Sequence, residues 1–159
     1  MNTTDPVASI RKAKPRRSSH HPARILAAHA VDAALSKKAH DVTVMDMHGV
    51  SGVADYFVMC TGDSDLQIRA IADAVEENLK NELGERPWHR EGYEHLQWVL
   101  LDYVDVVVHI FSQEKRAFYG LERLWGDAPV EQVPDDASSA DVKLLQEGAG
   151  HEPHPEGGS

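Results

Sequence analysis

A chain of 159 residues has room for one domain of ordinary size, and its 42% hydrophobic content suits a globular core. No run approaches the ~20 apolar residues of a membrane span, and the single cysteine, Cys60, excludes a disulfide framework or a multi-cysteine metal site, so a reducing, cytoplasmic setting is expected. The net charge of −10 is unevenly spread: six Lys and Arg face one acid in residues 1–24, nine face seventeen in 25–126, and one faces eight in 127–159. So acidic a middle is poorly suited to tracking a phosphate backbone, and sequence-specific nucleic-acid binding is not expected. It suits a basic protein partner, whose opposite charge speeds encounter.

Residues 1–23 hold Pro6, Pro15 and Pro22 and the basic run Arg11, Lys12, Lys14, Arg16, Arg17, with no apolar period. They read as a disordered basic arm. Contact with RNA or a transit role would use such charge, but three prolines and no amphipathic stripe favour a solvated tail. Ile25, Ala28, Val31 and Leu35 mark an opening helix ending near Lys37 and Lys38. Val42, Val44 and Met45 make a short strand, followed by the loop Gly49-Val50-Ser51-Gly52. The run Tyr56-Phe57-Val58-Met59-Cys60 is a strand covered on both faces.

Ser64 and Gln67 have capping-box spacing before a helix whose stripe is Ile68, Ile71, Ala72, Val75 and Leu79, with Gly84 as its stop. An extended piece at Trp88–Glu91 precedes a hairpin of Trp98–Leu101 with Val106–Phe111, turned by Asp102 to Asp105. Ser112 caps a last helix carrying Phe118, Tyr119, Leu121, Leu124 and Trp125, stopped by Gly126. The order α-β-β-α-β-β-β-α predicts an α/β (α+β) fold, a mixed sheet of four or five strands with helices packed on it. The domain is expected over residues 24–127. From 128 to 159 Pro, Gly, Asp, Glu and Ser dominate, and the patch Val142, Leu144, Leu145 has nothing evident to bury it, so a disordered acidic tail is expected.

Several blocks, in order, resemble the signature of the ribosomal silencing factor family, also called RsfS or Iojap-like. They are Asp55-Tyr56-Phe57-Val58 with Thr61-Gly62; Gln67 with Arg69-Ala70-Ile71-Ala72-Asp73; Glu91-Gly92; Trp98-Val99-Leu100-Leu101-Asp102-Tyr103; Asp105-Val106-Val107-Val108-His109-Ile110-Phe111; and Phe118-Tyr119-Gly120-Leu121-Glu122-Arg123-Leu124-Trp125-Gly126. The resemblance spans Ile25 to Gly126 and leaves both tails out. It implies a nucleotidyltransferase-like fold without the catalytic residues. It also implies binding to the large ribosomal subunit through large-subunit ribosomal protein fourteen. Association with the small subunit is then blocked sterically and translation is repressed, typically under nutrient limitation. Relatives of this kind often pair, so a homodimer is possible.

The residues themselves argue against catalysis. A nucleotidyltransferase needs a glycine-serine turn for phosphate and two alternating carboxylates for Mg²⁺. Thr61-Gly62-Asp63-Ser64 is a passable turn, but Asp63 and Asp65 would repel a triphosphate. The next extended piece, Arg86 to Glu91, offers one carboxylate and no pair. Cys60, inside an apolar strand, reads as a small buried hydrophobe rather than a nucleophile. His89 and His95 lack companions at zinc spacing, so neither metal nor cofactor is expected. An enzyme of that class and a general adaptor for some other basic protein are the alternatives.

The candidate partner-binding residues are Trp98, Asp102, His109, Tyr119 and Trp125. Aromatics with a polar tip are usual interface anchors, although Trp98 and Trp125 can equally be core. His109 is either a satisfied strand histidine or a residue on the partner side of the hairpin. Alternation puts Trp98 on one face with Leu100 and Asp102. A face ending in an aspartate is expected to be the wet one, and Asp102 is expected to pair with a partner Lys or Arg. The resemblance also favours Trp98 as an interface residue.

Overall fold

A computed structural model describes residues 21–50 and 52–147. Most of the expected basic arm and the end of the expected acidic tail lie outside the described residues. Helix α1 (Ala23–Ser36) is followed by β1 (His40–Asp46), β2 (Tyr56–Gly62), α2 (Asp65–Leu83), β3 (His89–Glu91), β4 (Trp98–Asp102) and β5 (Val106–Ser112). Two short helices, α3 (Gln113–Tyr119) and α4 (Leu121–Leu124), then precede β6 (Val130–Gln132) and two 3₁₀ turns, Ser139–Asp141 and Lys143–Leu145. The sheet has six strands in the order β3-β4-β5-β2-β1-β6. Only the central pair β2 and β5 is parallel, in register from Tyr56 beside Val106 to Gly62 beside Ser112.

Every residue of β2 is buried, as its unbroken apolar run requires. Alternation divides the strands between two cores. Val58, Cys60, Val99, Leu101, Val108 and Ile110 pack with α1 and α2. Phe57, Met59, Trp98, Leu100, Val107 and Phe111 form the opposite core with Leu121. The alanine face of α1, with Ala27, Ala30 and Ala34 wholly buried, adds little bulk between α1 and its neighbours in the first core.

One side chain joins the two long helices. Ser64 accepts the Gln67 N–H at 3.1 Å, as the capping spacing predicts. The Gln67 carboxamide, however, reaches past the cap residue. Its oxygen accepts the Asp63 N–H at 2.6 Å, and its nitrogen donates to the Lys37 and Lys38 carbonyls at 3.1 and 3.0 Å. A single amide thus satisfies the start of α2 and the end of α1.

The expectation of a disordered tail from residue 128 is corrected for residues 128–147, and the sheet gains a strand beyond the four or five expected. β6 pairs with β1, and Val133 donates to the Val42 carbonyl at 2.8 Å. Val133, Val142 and Leu145 enter the first core. Acidic side chains hold this strap by accepting backbone N–H groups. Asp32 takes Ser139 N–H at 2.8 Å, and Glu131 takes those of Lys143 and Leu144, both at 2.9 Å. The apolar patch at 142–145 does have a core to enter, because the end of β2 offers Tyr56, whose hydroxyl donates to the Leu144 carbonyl at 3.3 Å. The expected last helix is also split, at Gly120, into α3 and α4.

Removing everything after Asp127 should therefore destabilise the domain. Three buried apolar side chains at about 1.5–3 kcal/mol each make the loss on the order of 5 kcal/mol or more. Thermal melts of the truncated and full chains decide it, and a truncated chain melting with the full one would show the strap to be dispensable.

Alkaline pH should also unfold the protein early. Burial pushes the Cys60 thiol up to about 12 from 9.0, and burial, reinforced by Asp46 and Asp55, pushes the Tyr56 phenol up to about 12 from 10.0. Both groups hold their protons more tightly when folded. Their stabilisation is complete below the unfolded values and is lost as pH rises towards the folded ones. Urea midpoints should fall from about pH 9 upward, and in Cys60→Ala the fall should begin nearer the tyrosine range. A midpoint flat through this interval would contradict the assignment.

Candidate partner-binding face

The two faces of the sheet are covered very differently. α1 and α2 lay long apolar stripes on the first. The second is closed by α3 and α4 and by the β1–β2 connection, which contributes Met47 and Ala54. α3 starts where Ser112 accepts the Lys115 N–H at 3.2 Å, and it ends at Gly120, whose φ of 52° suits glycine. A Cβ there would also lie 2.5 Å from the Arg123 guanidinium. None of the α3 side chains is fully buried, and α4 buries only Leu121.

What pins this thin layer is Arg116, only 12% exposed. Its Nη1 donates to the Asp41 carbonyl at 3.0 Å and to Thr61 Oγ1 at 3.1 Å. Its Nη2 donates to Thr43 Oγ1 at 2.9 Å and to Glu122 at 3.0 Å. The β1–β2 register shifts between His40 and Thr43, and Asp41 has a φ of 50°. The guanidinium takes a carbonyl at this irregularity in the ladder. Replacing Arg116 by Leu should cost about 2–3 kcal/mol, since it strips charge-assisted hydrogen bonds from a largely buried site. A denaturant melt unchanged by Arg116→Leu would remove the clamp from the account.

On this layer the aromatics form two columns. Tyr119 lies 4.4 Å from the Trp98 ring, which sits 4.6 Å from Phe111. Trp125 meets Phe57 edge-on at 5.2 Å. Tyr119 and Trp125 are half-buried, while Phe118 and Leu124 beside them are 71% and 46% exposed. Phe118 contacts Tyr119 edge-on at 5.0 Å, with Lys115 over its ring.

Three of the five candidate residues do not reach the surface. Trp98 is 5% exposed, and His109 and Asp102 are wholly buried. Alternation does place Trp98 and Leu100 together, but that face is core rather than wet. Asp102 spends its Oδ1 on the Val104 N–H at 2.8 Å. It supports a tight turn in which Asp105 N–H donates to the Tyr103 carbonyl at 2.9 Å across Val104, whose φ is 76°. Asp102 is therefore a turn former, and pairing it with an outside Lys or Arg is not compatible with its burial. Phe118 and Leu124 were absent from the candidate set. The signal for them was their own spacing, which puts both on short helices too slight to bury them.

At the turn Thr61-Gly62-Asp63-Ser64, Gln67 Oε1 accepts the Asp63 N–H and Ser64 Oγ accepts the Gln67 N–H, so both side chains cap the start of α2. Asp63 pairs with His40 at 2.8 Å, and His89 pairs with Glu91 at 2.6 Å. Among the described residues no group of three or more His, Cys, Asp or Glu side chains could hold a metal ion, and no helix is long and apolar enough to cross a membrane.

This architecture has solved counterparts. The crystal structure of a Chromobacterium violaceum protein superposes with a TM-score of 0.65 at 29% identity, covering 76% of this chain and 98% of that one. The family model described as ribosomal silencing factor during starvation matches residues 19–155. The ribosomal silencing factor RsfS of Bacillus subtilis is 47% identical over 94 residues, 59% of this chain and 79% of that protein. RsfS of Halalkalibacterium halodurans is 45% identical over 104 residues, 65% of this chain and 88% of that protein. The chain belongs to the ribosomal silencing factor family.

Proposed function

We propose that the protein docks on the large ribosomal subunit through large-subunit ribosomal protein fourteen, and that its bulk then excludes the small subunit and represses translation when nutrients run short. The observation that carries the choice of face is the exposure of Phe118 and Leu124 beside half-buried Tyr119 and Trp125. Leu66, Trp88 and Val130 are also exposed but belong singly to α2, the approach to β3 and β6. Phe118 and Leu124 instead sit with half-buried aromatics on one thin layer, and a grouped apolar patch of this kind is what marks a docking site. The excess of acid over base in the folded region suits a basic ribosomal protein. A standard interface of roughly 1,600 Å² would suffice, and no chemistry is required. We read the protein, in keeping with its family, as a non-enzymatic, cytoplasmic factor, and pairing of two copies is compatible with this reading.

The full chain should co-sediment with free large subunits and not with small ones. Phe118→Ala and Leu124→Ala together should weaken that binding tenfold or more, as removal of about 1–2 kcal/mol of interface contact would, while leaving the melt in place. Co-sedimentation unaffected by both substitutions would move the docking face elsewhere.

A further inference from the structure

The buried pair beneath the proposed face has a job that burial alone does not explain. An indole N–H that leaves water needs an acceptor. Trp98 opens β4 opposite Phe111 of β5, so His109, two residues before Phe111, is its diagonal neighbour on the same face. There Trp98 Nε1 lies 3.1 Å from His109 Nδ1. Tryptophan can only donate, so Nδ1 must be the bare nitrogen and the imidazole carries its proton on Nε2. The imidazole is itself held by rings, with Phe57 edge-on at 4.7 Å and Phe111 stacked at 6.0 Å. The indole is thus fixed in rotation as well as in place, and Tyr119 rests on it at 4.4 Å.

We propose that His109 is a positioning residue for partner binding: by accepting the Trp98 indole N–H it sets the plane of that ring, and through it the seat of Tyr119 in the docking face. This rests on the α3–α4 reading of the docking face. His109 touches no partner. It acts through Trp98, and a pocket of the same size without an acceptor would leave the indole free to turn and the tyrosine without a fixed floor.

The test uses the full ¹⁵N-labelled chain, with the indole N–H resonance of Trp98 assigned by its absence in Trp98→Phe. In His109→Leu that resonance should move upfield, and affinity for purified large subunits should fall about tenfold as the indole and the Tyr119 seated on it lose their fixed orientation. His109→Asn puts a carbonyl oxygen near the place of Nδ1 and should recover both the resonance and most of the affinity. Trp98→Phe breaks the same bond from the other end, and adding His109→Leu to it should cost no further binding. Should His109→Leu fail to fold, the Asn variant and the Trp98→Phe background still decide. A displaced resonance with full affinity would overturn the proposal, as would Asn and Leu variants that bind alike, or additive losses in the double variant. Loss of binding in the Phe118 and Leu124 double variant is independent of this pair, so failure of the docking face and failure of the positioning role give different results.

Discussion

The structure depends on one constraint: its two central strands, β2 and β5, are apolar on both sides. Tyr56, Val58 and Cys60 face one way and Phe57 and Met59 the other, and β5 divides in the same manner. Neither face can be left to water, because each strand would then expose half of a continuous hydrophobic run. The first face receives two long helices joined at their ends by Gln67. The second receives the β1–β2 connection and the short segment between Ser112 and Gly126. So short a segment cannot bury a stripe of its own, and it is held by a polar clamp instead, the Arg116 guanidinium set among two threonines, a backbone carbonyl and Glu122. Apolar side chains left exposed on α3 and α4 are the consequence of that thinness.

The same logic governs the outer edge of β1. An open strand edge next to a fully buried strand invites unwanted pairing. Here β6 pairs with it, and the segment that follows folds back on α1 and β2. The acids that make residues 127–159 so negative are partly structural, since Glu131 and Asp141 accept backbone N–H groups where the strap turns, as does Asp32 from α1. A charge count therefore describes the strap poorly, because it treats as solvated tail what is in part a set of caps.

Much of the frame was legible from residue spacing. The two long helices, the doubly buried β2 and the β4–β5 hairpin follow from apolar period, and the Ser64 and Ser112 starts from capping chemistry. β6 was not legible. Three residues carry no period, and Val130, Glu131 and Gln132 become a strand only because β1 offers them an edge. The split at Gly120 was likewise hidden within a helical pattern of the right composition. At the candidate site the alternation was read correctly and its meaning was not. Asp102 ends β4, and an acid at a strand end ordinarily signals solvent. Its carboxylate instead closes a turn in which Val104 adopts a positive φ, a local geometry that spacing does not encode.

The partition of residues into core and interface also fails here for a physical reason. Phe111 and Trp98, side by side on the sheet, lead through Tyr119 to the exposed Phe118, each in ring contact with the next. Aromatic rings are rigid plates, and a tilt at the base of such a column is passed upward rather than absorbed, because close-packed interiors transmit strain. A buried tryptophan in this position is core by exposure and interface by consequence. On the proposed docking face, binding energy would therefore be set in part by side chains that the partner never touches. The residues to vary when testing docking alone are the exposed ones, Phe118 and Leu124, because neither lies beneath another ring of the column.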